Sequence, residues 1–342
     1  GVIIIMSSLS PASEVILRHL DHFADRHVLI AGDLQDTLAS QIQAKSVRAY
    51  TNQYHQWLPL LKSMGDNAFF GLAADQSFVK YCDTLIYFWP KNKNEATFQL
   101  RSLCASLSVD TEIFIVGENR SGVKSATELM NGIAKLKKID SARRCSLFFG
   151  SLTYQTLFDR NNWWQTYRYD DLTVMALPGV FSQTALDEGS RLLLSTFDDA
   201  MVGDLLDMAC GCGVIATVLG KKNPMLKLTL CDVNAAAISS SIATLNVNEL
   251  EGRVIASNVY SAVEETYDWI VSNPPFHDGL GTSYQAAEDI IRLAPNFLKK
   301  GGKLRIVANA FLPYQDILDH VFGSHEVLAS TGKFKVYQAT KK

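Results

Sequence analysis

The chain writes one strand pattern twice. Cys82-Asp83-Thr84-Leu85-Ile86-Tyr87-Phe88-Trp89-Pro90 parallels Tyr267-Asp268-Trp269-Ile270-Val271-Ser272-Asn273-Pro274-Pro275, with Phe88 and Trp89 standing where Asn273 and Pro274 stand. His27 to Asp33 reads as a strand and turn, as Asp204 to Ala209 does, and Ile113 to Arg143 matches Lys303 to Lys333 at a constant offset of 190 residues. Repetition of this kind is the mark of a duplication. The 342 residues also exceed the ~250–300 at which single cores stop growing. Two α/β domains follow, residues 6–160 and 161–342, with Thr153 to Arg160 as the linker. Gly1 to Ile5 precede Met6, lack a basic segment and are too short for a signal peptide or a span, so they read as an added remnant.

The two copies differ in chemistry. Leu205-Leu206-Asp207-Met208-Ala209-Cys210-Gly211-Cys212-Gly213-Val214 reads as a buried strand, a tight loop and a helix start, where glycines admit a ligand to the backbone. A second strand ends in Asp232, placed to accept both hydroxyls of a ribose, and a third ends in Asn258, suited to an adenine edge. The first copy has no glycine-rich loop after Asp33 and no paired acceptors. It is expected to keep the fold and bind no cofactor.

After the strand Trp269-Ile270-Val271 comes Ser272-Asn273-Pro274-Pro275-Phe276. Proline has a fixed φ and no N–H, so this is a stiff corner whose carbonyls are not used up by a ladder. The Asn273 amide and the Pro274 carbonyl can converge on a planar NH2 group, draw its nitrogen toward tetrahedral geometry and free its lone pair. Phe276 offers a face for a base. Two nucleoside-binding readings compete at this stage. Gly211-x-Gly213-x-x-Ala216 with Asp232 also fits a dinucleotide-binding oxidoreductase. Asp207 opposes that reading, because an acid there would face a pyrophosphate but suits a cationic amino-acid group.

Asp207 to Gly213, Asp232, Asn258 and Asn273 to Phe276 together resemble class I S-adenosylmethionine-dependent methyltransferases that act on exocyclic amines. Pro178 to Ser182, Asp187, Gly189, Asn273 to Gly279 and Ala308 to Tyr314 resemble more narrowly a bacterial family of small-subunit ribosomal RNA guanine N2-methyltransferases, over the whole chain after Met6. The resemblance implies two tandem Rossmann-like domains, the N-terminal one degenerate and used in RNA handling. It implies S-adenosylmethionine as cofactor and 16S rRNA as partner, free or assembling into the small ribosomal subunit. Asp207, Ala209, Cys210, Gly211 and Gly213 would hold the methionine part, Asp232 and Val233 the ribose side, and Asn258 the adenine. Asn273, Pro274, Pro275 and Phe276 would form the catalytic corner, with Phe181 and His277 against the substrate. His277 or Asp278 can take the released proton or simply fix the loop. Ala209 departs from the family's glycine and adds a methyl beside the cofactor's amino-acid end. The corner alone does not choose the base, since related corners act on adenine N6 and on protein glutamine. A vestigial enzyme serving as an RNA chaperone is the non-enzymatic alternative.

A net charge of -3 excludes a uniformly basic nucleic-acid binder, but its parts differ: residues 1–160 carry 17 Lys+Arg against 15 Asp+Glu, and 161–342 carry 15 against 20. Arg120, Lys124, Lys135, Lys137, Lys138, Arg143 and Arg144 face only Glu128 and Asp140 within their own stretch, a net +5. That makes a candidate phosphate-contacting surface. Trp163, Trp164, Tyr167 and Tyr169 are expected to pack between domains. Cys82, Cys104, Cys145, Cys210, Cys212 and Cys231 have no paired CxxC, so no metal site is expected and the thiols read as reduced, in the cytoplasm. No apolar run reaches membrane length. A monomer is expected.

Overall fold

The computed structural model describes residues 9–181, 184–198, 200–275 and 282–342. The chain divides into two compact units between Trp163 and Trp164. In the first, strands β1 (His27–Gly32), β2 (Ser46–Thr51), β3 (Ala68–Phe70), β4 (Thr84–Phe88), β5 (Glu112–Glu118), β6 (Lys137–Ala142) and β7 (Cys145–Ser151) lie in the order 3-2-1-4-5-7-6. The second unit repeats that order with β10 (Gly203–Met208), β11 (Leu226–Asp232), β12 (Arg253–Ala256), β13 (Tyr267–Ser272), β14 (Leu298–Asn309), β15 (Glu326–Ser330) and β16 (Phe334–Thr340). In both sheets five parallel strands are closed by an antiparallel pair. The duplication expected from the sequence is therefore present strand for strand.

Period-two burial explains the layering. Leu29, Leu85, Tyr87, Ile113 and Ile115 enter one core with Leu100 and Leu103 of the helix Lys93–Ser106. Their neighbours Val28, Ile30, Ile86, Phe114 and Val116 enter another with Val15, Ile16 and Leu60. A strand buried on both faces reads as a continuous apolar run, and helices cover both sides. In the second unit Leu206, Ile270, Leu304 and Ile306 pack against Ile290 and Ile291 of the helix Thr282–Leu293.

The ladders also locate the copies against each other. Asp83 Oδ1 accepts from the His27 amide at 3.0 Å, and Asp268 Oδ2 accepts from the Asp204 amide at 2.8 Å, so each aspartate ties the start of its unit's first strand. From there Thr84 pairs with Glu112 and Trp269 with Lys303, while Glu118 pairs with Cys145 and Asn309 with Phe334. Glu112 thus matches Lys303 and Cys145 matches Phe334. A single spacing of 190 misses by one residue in opposite directions at the two ends, because the connection into the closing hairpin is shorter in the second copy.

Other expectations shift slightly. A hairpin, β8 (Gln165–Tyr169) and β9 (Leu172–Ala176), opens the second unit, with Pro178-Gly179 beyond it. β9 is fastened to the helix Ala235–Val247: the Met175 and Leu177 amides donate to Thr244 Oγ1 and Ser240 Oγ at 3.0 and 3.1 Å. The third strand of the second unit stops at Ala256, two residues short of Asn258. Trp163 packs edge-on against Phe98, within the first unit.

Candidate active site

Each sheet reverses strand order between its first and fourth strands, and a ligand site of an open α/β sheet forms at the carboxyl ends there. In the second unit this point joins the loop after β10 to the corner after β13. Asp207 is fully buried, with Oδ2 accepting from the Ala216 amide at 3.2 Å and Oδ1 meeting no partner. Burial pushes its carboxyl up to about 7. An orphaned buried acceptor of this kind costs free energy until a donor arrives.

The chain then turns through left-handed conformations at Ala209 (φ 61°), Gly211 (φ 55°) and Gly213 (φ 78°) before the helix Val214–Lys222. A Cβ at Gly213 would stand 3.0 Å from Ser241 Oγ. Ser241 Oγ donates to the Gly211 carbonyl at 2.8 Å, and the Gly211 amide donates to Asp232 Oδ2 at 3.0 Å. Asp232 Oδ1 accepts from the Asn234 amide at 3.0 Å. The loop and the carboxylate hold one another in place, leaving lone pairs on both Asp232 oxygens for hydroxyl donors. Val233 follows, half-buried, and Asn258 is exposed beyond β12. Cys210 and Cys212 are buried, and burial raises both thiols, Cys212 to about 12. They stay protonated and serve as packing, not as nucleophiles.

At the corner, Asn273 Nδ2 donates to Asp187 Oδ2 at 3.0 Å and to Ser190 Oγ at 2.9 Å. Ser190 Oγ in turn donates to Asp187 Oδ2 at 2.7 Å, and Asp187 Oδ1 caps the helix Glu188–Ser195 through the Gly189 amide at 2.8 Å. With both acceptors on one side, the amide nitrogen must face them and Oδ1 must face away. Ser272 Oγ donates to the Met208 carbonyl at 2.6 Å and ties this corner to the end of β10. Pro274 is buried and Pro275 half-buried. Phe276 and His277 lie outside the described residues.

Asp187 is the N-cap of the helix Glu188–Ser195. Its second task, holding Asn273 from 86 residues away, has no local signal, nor does that of Ser190. Phe181 is half-exposed and its carbonyl accepts from Cys212 Sγ at 3.4 Å, so it lies beside the glycine loop. Phe311, in the loop after β14, is 82% exposed. A groove of about 450 Å³, lined by Asp170, Asp171, Lys221 and Lys222 at the far end of the helix Val214–Lys222, contains none of these groups. No metal-binding cluster occurs among the described residues, and no helix there is long and apolar enough to cross a membrane.

The remaining candidates belong to the first unit. Lys135, Lys137 and Lys138 are exposed on and just before the edge strand β6, and Arg143 and Arg144 form its turn into β7. The net +5 counted along the sequence is smaller in space: Glu14 pairs with Arg143 at 2.5 Å and Glu118 with Arg120 at 2.7 Å. Both acids lie outside the stretch in sequence.

Comparison with known proteins agrees with this geometry. Residues 171–338 match the family described as Methyltransferase small domain, and residues 13–167 match Methyltransferase small domain N-terminal. The Ribosomal RNA small subunit methyltransferase C of Photorhabdus laumondii is 64% identical over 98% of this chain and 100% of its own length. The chain belongs to the ribosomal RNA small subunit methyltransferase C family. The member from Serratia proteamaculans is 61% identical over 98% of this chain and 96% of its own. A T. thermophilus 16S rRNA N2 G1207 methyltransferase, solved with AdoMet and guanosine, shares the fold at a TM-score of 0.83 and 20% identity, covering 98% of this chain and 93% of that one. Membership of the family removes the oxidoreductase alternative.

Proposed function

We propose that the second unit transfers a methyl group from S-adenosylmethionine to the exocyclic N2 amine of a guanine in 16S rRNA. The T. thermophilus relative's described target is G1207, and we assign the equivalent guanine here. The observation that carries the reading is the Asn273 amide, turned by Asp187 and Ser190 so that its oxygen faces outward. The residues fit the cofactor: Asp207 Oδ1 awaits a donor, the Gly211 and Gly213 turns admit a ligand to the backbone, and Asp232 is preset for a ribose. S-adenosylmethionine supplies a methyl on a positively charged sulfur. The chain's part is placement. Asn273 Oδ1 and the Pro274 carbonyl accept the two hydrogens of the guanine amine, localise its lone pair and aim it. Phe276 supplies the stacking face, and Phe181 and His277 are assigned to the substrate as well. Most of the acceleration then comes from positioning and preset dipoles.

A stacked guanine cannot reach such a corner, so the target is unpaired or opened RNA. The N-terminal unit, residues 6–160, holds phosphates through Lys135, Lys137, Lys138, Arg143 and Arg144. The enzyme acts as a monomer in the cytoplasm, on RNA assembling into the small subunit. Incubation with methyl-labelled S-adenosylmethionine and either free 16S rRNA or small subunits, followed by digestion to nucleosides, should yield N2-methylguanosine. Methylated adenosine, or label in a protein glutamine, would refute the assignment.

A further inference from the structure

A buried acceptor and a buried donor of the second unit have no hydrogen-bond partner. One is Asp207 Oδ1, an acceptor, and the other is Tyr167 Oη. Tyr167 stands on β8 opposite Val174 of β9, which is fully buried. Its hairpin is fastened to the helix Ala235–Val247, the same helix whose Ser241 holds the Gly211 carbonyl. The groups that act on the phenol electrostatically are Cys212 of the loop and Asp187.

A phenol kept from water stays protonated and is a hydrogen-bond donor in search of an acceptor. Both oxygens of Asp187 are engaged by Gly189, Ser190 and Asn273, and the Cys212 thiol is turned to the Phe181 carbonyl. The second unit therefore holds a bare acceptor near the end of β10 and a bare donor on β8, in the hairpin tied to the helix that holds the loop. An α-amino acid carries the complementary pair, an ammonium and a carboxylate. We propose that Tyr167 Oη donates to the carboxylate of the methionine part of S-adenosylmethionine while Asp207 accepts from its ammonium, so that the two atoms recognise the zwitterionic end of the cofactor.

This assignment rests on the cofactor reading above, and the test separates the two. Full-length protein and Tyr167→Phe are titrated calorimetrically with S-adenosylhomocysteine, which has the amino-acid end, and with 5′-methylthioadenosine, which lacks it. Tyr167→Phe should bind S-adenosylhomocysteine about 10-fold more weakly, the loss of one bond to a charged group. It should bind 5′-methylthioadenosine as the parent does, and its ligand-free melting temperature should equal or exceed the parent's, because the hydroxyl has no partner to lose. Asp207→Asn should show the same selectivity. Unchanged affinity for S-adenosylhomocysteine, or equal weakening of both ligands, would overturn the role of Tyr167. If the parent protein bound neither ligand, the cofactor reading itself would fail.

Discussion

At the ends of β1 and β10 the same backbone carries opposite chemistry. Counting from the matched caps of His27 and Asp204, the left-handed Gly32 (φ 103°) stands where Ala209 (φ 61°) stands, and Ile30 replaces Asp207. In the second unit the Gly211 amide donates to the Asp232 carboxylate. In the first, the matching Leu34 amide donates at 3.0 Å to the side chain of Gln56, and Thr51, in the place of Asp232, donates to the same oxygen at 3.0 Å. Gln56 Nε2 then donates to Asp33 at 2.7 Å. An internal amide accepts here from the backbone that Asp232 holds in the second unit. At the other corner Phe88 and Trp89 replace Asn273 and Pro274, and Trp89 is buried, with its indole donating to the Ser121 carbonyl at 2.9 Å. The fold depends on alternating apolar strands, which both halves keep. The site depends on a few polar groups whose burial is costly unless a ligand satisfies them, and in the first half Gln56 takes up the matching ones.

The largest effect expected from this contrast is at Asn273. Asn273→Ala should leave cofactor affinity near that of the parent and lower methyl transfer ~10²-fold or more, since the missing acceptor matters most as charge develops on the amine. Single-turnover rates measured beside cofactor titrations check it, and turnover near the parent's would break the comparison at its catalytic corner.

Next is Asp232, where removal of a charged acceptor of two hydroxyls should cost ~2 kcal/mol or more, roughly 30-fold in affinity. Calorimetry on Asp232→Ala reads it directly. The converse change, Thr51→Asp in the first half, should create no second site while Gln56 remains.

How much of this is legible in the sequence follows from what kind of signal each residue leaves. The strands, the duplication, Asp207, the glycine loop and the Asn273 corner sit in contiguous patterns, and all can be read. The Asp187 and Ser190 anchors and the Gln56 plug act across long separations, where one sequence carries no trace of spatial proximity. The same reason hides Glu14 beside Arg143, and with it the true balance of the basic stretch. The ring pair of Trp163 with Phe98 is likewise hidden, because aromatic composition does not name a partner 65 residues away.

That basic stretch supplies the third prediction. Lysines on an edge strand also guard the sheet against pairing with another edge, so exposure alone does not make Lys137 and Lys138 RNA-binding residues. Replacing Lys135, Lys137 and Lys138 with Glu should weaken rRNA binding about 10-fold and flatten its salt dependence, because a surface that neutralises fewer phosphates releases fewer counterions. Cofactor affinity should not move. Unchanged RNA affinity across a salt titration would leave the basic stretch only a solvated surface.

The smallest effect is at Ala209, where a Cβ is held at φ 61° while its counterpart is the glycine at 32. Left-handed backbone costs a non-glycine residue roughly 1 kcal/mol, partly offset by the greater unfolded freedom of glycine. Ala209→Gly should change S-adenosylhomocysteine binding by no more than about threefold, because the free and the bound loop carry that strain alike. A clear loss of affinity would show that the methyl touches the cofactor favourably.

The claim that two copies of one fold keep a single working site is tested most directly by counting. Calorimetric titration of the full-length protein with S-adenosylhomocysteine should give one ligand per chain, and the same titration of Asp232→Ala should remove that binding or weaken it at least about 30-fold without uncovering another site. A stoichiometry of two, or undiminished binding in Asp232→Ala, would contradict the account.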